Sequence, residues 1–221
     1  MFRHVLSRSR GRRATESLLS SQQPGWQTRG NFNLPSSKRL DDIVKLALLE
    51  REPAEEVKRI WTQHHANSTH HVATTLSAQQ FDSFTAHARA HSLFVLPVPK
   101  GAQGGFLTFF TQCQLPFVIF TLLDEYMQRS TAAGAHLVVT HYDELRESKG
   151  LVLVRGELLL TTELMPPEAS TLVERLHSFY TTPDGQHLVS SFNRGAVDFT
   201  FDAVLKRCGL PPTHPPKAPI D

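Results

Sequence analysis

Histidine is the residue type whose number and spacing most suggest chemistry in this sequence. The chain has 12 histidines; His87 and His91 are four apart on a predicted helix, and His64–His65 and His70–His71 are adjacent pairs. A four-residue spacing places two rings on one helix face, as a helical zinc site requires. However, no glutamate follows His87 as an H-E-x-x-H motif requires, and no cysteine lies nearby. We therefore predict no metal ligand and interpret these side chains as surface or helix-end histidines.

No other set of residues matches a reaction centre. The GAQGG segment at 101–105 lacks the lysine of a phosphate loop and the context of a dinucleotide site, so it predicts a hairpin loop. The sequence has no G-x-S-x-G motif, and Cys113 and Cys208 stand in no recognisable nucleophile motif. The acids Asp124–Glu125 and Asp143–Glu144 fall in polar connections, where solvated side chains are normal. We predict no catalytic residue and no cofactor, and hence no enzyme.

Phenylalanine is the abundant aromatic residue, with 14 copies against three tyrosines and two tryptophans. Several crowd the hairpin at 106–120, where core packing is the default interpretation. The alternative is an apolar sheet face or groove that binds a protein partner, because large exposed apolar patches are uncommon on monomers. Aromatic anchors dominate interface energetics. Our candidate partner-binding residues are therefore Phe106, Phe110, Phe117, Phe120, His141 and Tyr142.

Two apolar strands around a charged turn form the predicted centre of the fold. In the first strand, Leu137, Val139 and His141 point to one face. The second strand has one uncharged face, and its other face is apolar at first and then charged; the uncharged face is Val152, Val154, Gly156, Leu158 and Leu160, and the other is Leu151, Leu153, Arg155 and Glu157. A strand that is apolar on nearly both faces predicts a covered sheet.

Helical periodicity dominates before these strands. Leu40 to Arg51 is apolar at helical spacing and predicts one helix. Residues 54–66 predict a second helix, on which Trp61 is the expected core anchor. Ser77 predicts the N-cap of a helix over 78–90, because its hydroxyl can accept a hydrogen bond from the first turn.

Later segments mix strand and turn signals. Pro97 and Pro99 predict the end of a strand or an edge position. Residues 124–134 are polar and small, and predict a loop with at most one helical turn. A helix that begins with proline is predicted near 166–180. The PDG sequence after it predicts a turn, and HLVSSF at 187–192 predicts the last strand. A final helix is predicted to end near Gly209.

The short connections between strands from 92 to 160 favour antiparallel neighbours. Helices cluster before and after them. This order predicts an α+β domain with a mainly antiparallel sheet of about six or seven strands, covered by helices.

Charge divides the chain into a basic leader and an acidic body. Residues 1–39 contain eight of the 23 basic residues and one of the 21 acidic residues. Residues 40–221 therefore contain 15 basic and 20 acidic residues and have a formal charge of −5. We therefore predict no nucleic-acid partner. No apolar run approaches the roughly 20 residues of a membrane-spanning helix, so we predict no membrane insertion.

The composition predicts four parts of the chain. Residues 1–30 are rich in arginine and serine without a continuous apolar core, which is typical of a mitochondrial transit peptide, although an ordinary basic arm has the same composition. Residues 31–39 predict a flexible linker, 40–208 the α+β domain, and the Pro-rich 209–221 a disordered tail. Two cysteines are too few for a disulfide framework and suit a reducing compartment.

Several segments resemble the family of mitochondrial assembly factors for the F(1) sector of ATP synthase, of the type that chaperones the β subunit. Across residues 40–208 these segments occur in the family's order; they are AEEVKRIWTQHHA at 54–66, FVLPVPKGAQGGFLTFFTQ at 94–112, AHLVVTHYDELRESKGLVLVRGEL at 135–158, LVERLHSFY at 172–180 and SFNRGAVDFTFDAVL at 191–205. The third carries the family's pattern of His141, Tyr142, Glu144, Leu145, Lys149 and Gly150.

The resemblance implies a non-enzymatic chaperone of the mitochondrial matrix. It implies binding to the free β subunit and shielding of the surface that later meets the α subunit. Family members usually carry a longer helical region before the first matched helix, where this sequence has a short linker. The alternative is a stable accessory subunit of the assembled synthase, and in either case we expect a monomer when free.

Overall fold

The computed structural model describes residues 38–101 and 105–213 and contains one antiparallel sheet. The sheet order is β1-β6-β5-β4-β3-β2, and every neighbouring pair is antiparallel. Its strands are β1 (His71–Ser77), β2 (Leu93–Lys100), β3 (Gly105–Gln114), β4 (Phe117–Leu122), β5 (Leu137–Tyr142) and β6 (Leu151–Leu158).

Helices lie before, between and after the strands. Within the described residues they are α1 (Leu46–Leu49), α2 (Ala54–His65), α3 (Ala78–Ala90), α4 (Leu123–Arg129), α5 (Arg146–Lys149), α6 (Pro166–Thr181), α7 (Pro183–Arg194) and α8 (Phe201–Arg207), with 3-10 turns at Leu40–Asp42 and Ser130–Ala132. The predicted α+β class is confirmed, with six strands.

One face of the sheet, here called the core face, packs against α3, α6 and α7. The ring of Phe94 in β2 lies 5.2 Å from that of Phe179 in α6 and 5.6 Å from that of Phe192 in α7. At Gly156 an added Cβ would lie 2.7 Å from Val72 and 3.7 Å from Val173 of α6, so glycine permits this close approach. The main hydrophobic core therefore lies between the sheet and these helices.

The other face, here called the opposite face, carries a smaller second cluster under α2. Trp61 is fully buried there, and its Nε1–H donates to the carbonyl of Val154 at 3.1 Å. The remaining buried members of this cluster come from the segment before α2, from α2 itself, and from β5, β6 and the connection between them; they are Leu40, Leu49, Val57, Tyr142, Leu145, Leu151 and Leu153. Trp61 is a core anchor, as predicted, but of the second cluster.

The predicted central strands are β5 and β6. Leu137 pairs with Leu158 and His141 with Val154, all on the core face. Arg155 and Glu157 lie on the opposite face, as the alternation predicted. Leu160 lies beyond the end of β6, so its predicted place on that strand is wrong.

Residues 187–192 are not a strand. They belong to α7, because Pro183 occupies the start of a helix and Thr182 has the extended conformation of an N-cap. Apolar Leu188 and Phe192 are four apart and contact the core with buried Val189. The short apolar run was compatible with either structure, and the preceding PDG begins the helix rather than a hairpin turn.

Two other predicted segments differ from the structure. Residues 123–129 form α4 rather than a loop, and Leu123 is buried while Tyr126 packs on Phe110 with ring centroids 4.2 Å apart. Leu40 to Arg51 is broken into a 3-10 turn and α1. The side chain of Asp41 accepts the amide proton of Leu46 at 3.1 Å, which holds the break between them.

Local signals at α3 and β2 are confirmed. The Ser77 hydroxyl accepts from the Gln80 amide, and the Gln80 side chain accepts from the Ser77 amide, which completes a capping box. β2 is an edge strand, where Pro97 and Pro99 cost no ladder hydrogen bond on the open side. The predicted transit peptide over 1–30 lies outside the described residues, as do 31–37 of the linker and 214–221 of the tail.

Replacing Gly185 by alanine should lower the free energy of unfolding by about 2 kcal/mol. An added Cβ would lie 2.5–2.8 Å from backbone atoms of Phe179, which cannot rotate away. Overpacking costs about 1–3 kcal/mol, whereas alanine regains at most about 1 kcal/mol of helix propensity. Urea unfolding measures the difference. Gly134→Ala is the control, because its Cβ meets only Leu160 Cδ1 at 3.4 Å; equal stabilities of the two variants would contradict the close contact.

Candidate functional site

The candidate partner-binding residues lie on three adjacent strands, β3, β4 and β5, but they do not share one exposed surface. Phe110 and Phe120 are fully buried, and His141 and Tyr142 nearly so. Phe106 and Phe117 are half-buried. Phe120 and His141 lie on the core face, whereas Phe110, Phe117 and Tyr142 lie on the opposite face. Only Phe106 and Phe117 of this set can contact a partner without rearrangement.

His141 forms a buried pair with His177 of α6. The Nε2 atoms of the two rings are 3.0 Å apart, and His141 Nδ1 lies 3.2 Å from the carbonyl oxygen of Pro116. A carbonyl only accepts, so His141 Nδ1–H donates to it and His141 Nε2 is left to accept from His177 Nε2–H. When both rings are neutral, this geometry fixes both tautomers.

The surroundings of this pair explain why it stays neutral. His141 stacks on Phe84 at 4.7 Å between ring centroids and lies 5.8 Å from Phe81, both on α3. Burial lowers the pKa of His141 to about 4, against a smaller opposing effect of the Pro116 carbonyl. Burial also lowers the pKa of His177 well below its usual value. Sequence reasoning missed this pair, because its members are 36 residues apart.

Tyr142 of β5 and Arg155 of β6 are polar residues of the opposite face, and Tyr142 connects its strand to the segment before α1. The Tyr142 hydroxyl donates to the Lys38 carbonyl at 3.1 Å. Arg155 is buried on the same face, and its Nη1 donates to a Glu157 carboxylate oxygen at 3.2 Å. A buried cation needs such a partner. These contacts hold the opposite face together and make Tyr142 a structural residue.

The titratable groups converge on no reaction centre within 38–101 and 105–213. In those ranges no three His, Cys, Asp or Glu side chains are grouped as metal ligands. The rings of His87 and His91 lie 4.8 Å apart, and burial lowers the pKa of each. Burial raises the pKa of the Cys113 thiol to about 12 and raises that of Cys208. Both thiols are therefore held protonated and are weak nucleophiles.

A surface groove of about 600 Å³ lies between residues 43–52 and α2. Ile43, Val44, Leu48 and Ile60 line it with apolar surface, and Leu48 is 54% exposed. The sequence predicted one helix over Leu40 to Arg51, with Leu48 among its apolar residues at helical spacing. The break before α1 turns it outward instead. The available signal was Asp41–Asp42, two residues that favour turns and caps over helix interiors.

Helix length and composition bear on membrane contact. The longest helix described is α6, with 16 residues. No helix among the described residues is long and apolar enough to cross a bilayer.

The sheet and its two clusters define an α+β domain whose candidate sites are surfaces rather than a reaction centre. The family model described as ATP11 protein matches residues 6–205, so the chain belongs to the ATP11 protein family. A similar protein in Homo sapiens is named "ATP synthase mitochondrial F1 complex assembly factor 1" and is 29% identical over 79% of this chain and 53% of its own length. The Mus musculus protein of the same name is 29% identical over 76% of this chain and 51% of its own length. "Protein atp11, mitochondrial" of Schizosaccharomyces pombe is 25% identical over 80% of this chain and 64% of its own length. The chain thus spans about half the length of the two mammalian relatives.

Proposed function

We propose that this protein is a chaperone for assembly of the ATP synthase F1 sector in the mitochondrial matrix. It binds the free β subunit and shields the surface that faces the α subunit until the hexamer forms. The observation that carries this proposal is the family match over residues 6–205, together with relatives named as F1 complex assembly factors. The choice of the β subunit and of the matrix rests on the resemblance of the sequence motifs.

The described fold suits a role in binding. Phe106 at the β2–β3 end and Phe117 at the β3–β4 turn are half-buried and offer apolar surface at opposite ends of β3. Unassembled subunits expose apolar interface that favours aggregation. A chaperone that covers this interface is released when a subunit that binds more tightly competes for it. This cycle needs neither a nucleotide nor a catalytic residue, and we expect no ATP hydrolysis.

Affinity purification of the full-length chain from mitochondrial matrix extract should recover the β subunit. On native gels the protein should migrate with free β subunit and assembly intermediates. Recovery of no β subunit, when a known β-binding protein recovers it in parallel, would refute the proposal. Migration with the complete synthase would instead identify an accessory subunit.

Phe106→Ala and Phe117→Ala should each weaken β-subunit capture about tenfold, because truncating an interface aromatic commonly costs more than 1 kcal/mol. Both variants should remain folded. Phe110→Ala and Phe120→Ala are the matched controls, because those rings are fully buried and their loss should cost about 3–5 kcal/mol of folding stability. Thermal unfolding and pull-down from the same preparations separate the two effects. Unchanged capture by both surface variants would place the binding surface elsewhere.

A further inference from the structure

The groove between residues 43–52 and α2 has a fixed wall. Leu40 and Leu49 anchor this wall in the second cluster, where both are almost fully buried. Lys149 of α5 donates from Nζ to the carbonyls of Glu50 at 2.9 Å and Glu52 at 2.6 Å. These hydrogen bonds complete the C-terminal end of the wall, where carbonyls would otherwise lack partners. The groove is therefore a preformed feature rather than a gap left by a frayed end.

Apolar surface faces solvent in this groove. Leu48 is one of five large apolar side chains that are exposed among the described residues. Ile43, Val44 and Ile60 are half-buried and continue the apolar surface from Leu48 into the groove. The volume of about 600 Å³ lies in the range of concave binding sites. Contiguous apolar surface of this kind marks interaction sites.

The charges at the rim are unbalanced. Lys58 and Arg59 on α2 each pair with a glutamate three residues earlier, at 2.7 and 2.5 Å. Lys45 and Arg51 at the groove are exposed, and neither pairs with a carboxylate of the described residues. Glu52 adds one carboxylate to the lining, so these three groups carry a formal charge of +1 in a body that is otherwise acidic. A negatively charged occupant complements the two free cations.

We propose that this groove is the docking site for an amphipathic segment of the client protein, with apolar side chains on one face and carboxylates beside them. A helix of this type would place its apolar face on Leu48 and Ile60 and its carboxylates near Lys45 and Arg51. The identity of that client as the β subunit rests on the proposed function. The chemistry of the occupant rests on the groove alone.

Charge disfavours two other occupants. Residues 1–37 contain six arginines and one glutamate, so this arm would bring like charge to Lys45 and Arg51. A second copy docked groove to groove would place the same cations opposite each other. Like charges held close in a partly apolar site cost binding free energy.

The test uses the full-length chain, labelled with nitrogen-15, and two synthetic 14-residue helical peptides. Both peptides have leucine at positions i, i+3, i+4 and i+7; one carries glutamate and the other lysine at the flanking positions. The acidic peptide should shift the backbone amide signals of Val44, Leu48 and Ile60, and the basic peptide should not. Equal binding of both peptides, or shifts confined to other residues, would overturn the proposal.

Three variants test whether the peptide binds through the side chains of the groove. Leu48→Asp should weaken binding of the acidic peptide at least tenfold, and Lys45→Glu with Arg51→Glu should reverse the preference toward the basic peptide. Leu160→Asp is the matched control, because Leu160 is a 42% exposed leucine outside the groove and should bind as the parent protein does. Groove signals that change with protein concentration alone would indicate a second copy. Signals that respond to the acidic peptide only after removal of residues 1–30 would indicate the arm. Either result would refute docking of a client.

Capture of the β subunit separates this proposal from the proposed function. If the parent protein captures β and the groove variants capture it equally, the function stands and the groove is not its docking site. If the parent protein captures no β, the proposed function fails, and the peptide titration still decides whether the groove binds acidic amphipathic helices.

Discussion

Acidification from pH 7 to pH 4 should reduce the free energy of unfolding by about 3 kcal/mol or more, largely through the His141–His177 pair. Both rings are buried against aromatic side chains of α3, and burial lowers the pKa of each. Within the part of the chain that the structure describes, neither ring pairs with a carboxylate that would stabilise its protonated form. A proton added to either imidazole would therefore be a buried charge without a counter-ion.

The direction follows from proton linkage. The unfolded chain binds protons on these rings below a pH of about 6.5, whereas folded His141 stays neutral down to about pH 4. Between these values the unfolded state binds more protons, so this contribution to stability is present above pH 6.5 and is lost as the pH falls. At about 1.4 kcal/mol for each unit of pKa, His141 alone contributes roughly 3 kcal/mol. Burial lowers the pKa of His177 as well, so its contribution to stability is lost in the same direction as the pH falls.

Urea unfolding at several pH values measures the slope of the free energy of unfolding against pH. The double variant His141→Gln, His177→Gln should show a shallower slope between pH 6.5 and 4, and lower stability at pH 7. Burial also lowers the pKa of other histidines, so the slope should not vanish; these are His65, His71, His87, His91 and His136. The control His70→Gln, His187→Gln removes exposed rings and should keep the parent slope. Identical slopes for the two double variants would refute the buried neutral pair.

Replacing Trp61 by alanine should cost about 4 kcal/mol of folding stability. Truncation of a buried tryptophan commonly costs about 3–5 kcal/mol, and the Val154 carbonyl also loses a hydrogen-bond donor. Trp61 contacts both the helix that carries it and the sheet, with its ring 4.4 Å from His65 and 6.1 Å from Tyr142. Its loss should detach α2 before the main core unfolds.

Hydrogen exchange distinguishes local from global unfolding in this variant. Amides of α2 should exchange faster, while those of α6 stay protected, because the two helices belong to different clusters. Trp61→Phe keeps most of the ring volume and should cost only about 1–3 kcal/mol. A uniform loss of protection in Trp61→Ala would show that the two clusters unfold as one unit.

The central sheet could be predicted because its pattern is local. Alternating apolar residues define both faces of β5 and the inner part of β6, and the structure confirms the facing of Leu137, His141 and Arg155. Ser77 and Gln80 form their capping box from side chains three residues apart. Pro97 and Pro99 predicted the end of a strand or an edge position, and β2 is an edge strand. Each of these signals depends on neighbours within a few residues.

The wrong predictions concern segments whose structure depends on contacts with residues that are distant in sequence. Residues 187–192 are short enough to fit a strand or a helix, and packing of Phe192 against Phe94 favours the helix. The 124–134 segment was predicted as a loop because it is polar, yet Leu123 and Tyr126 give α4 a buried side. His141 was a candidate contact residue because sequence spacing cannot show that His177 covers it. The groove at Leu48 likewise depends on α2.

The strand order also fixes when the sheet can be completed. β2 to β5 pair with neighbours that follow closely in sequence, but β1 pairs only with β6, where His71 is opposite Glu157. A chain emerging from a ribosome or a translocation pore with its N-terminus first therefore exposes β1 as an unpaired strand until about 80 more residues have followed it. Closing that long loop is slow compared with forming hairpins. The second cluster, with α2 resting on β1 and β6, consequently cannot form before β6 has emerged.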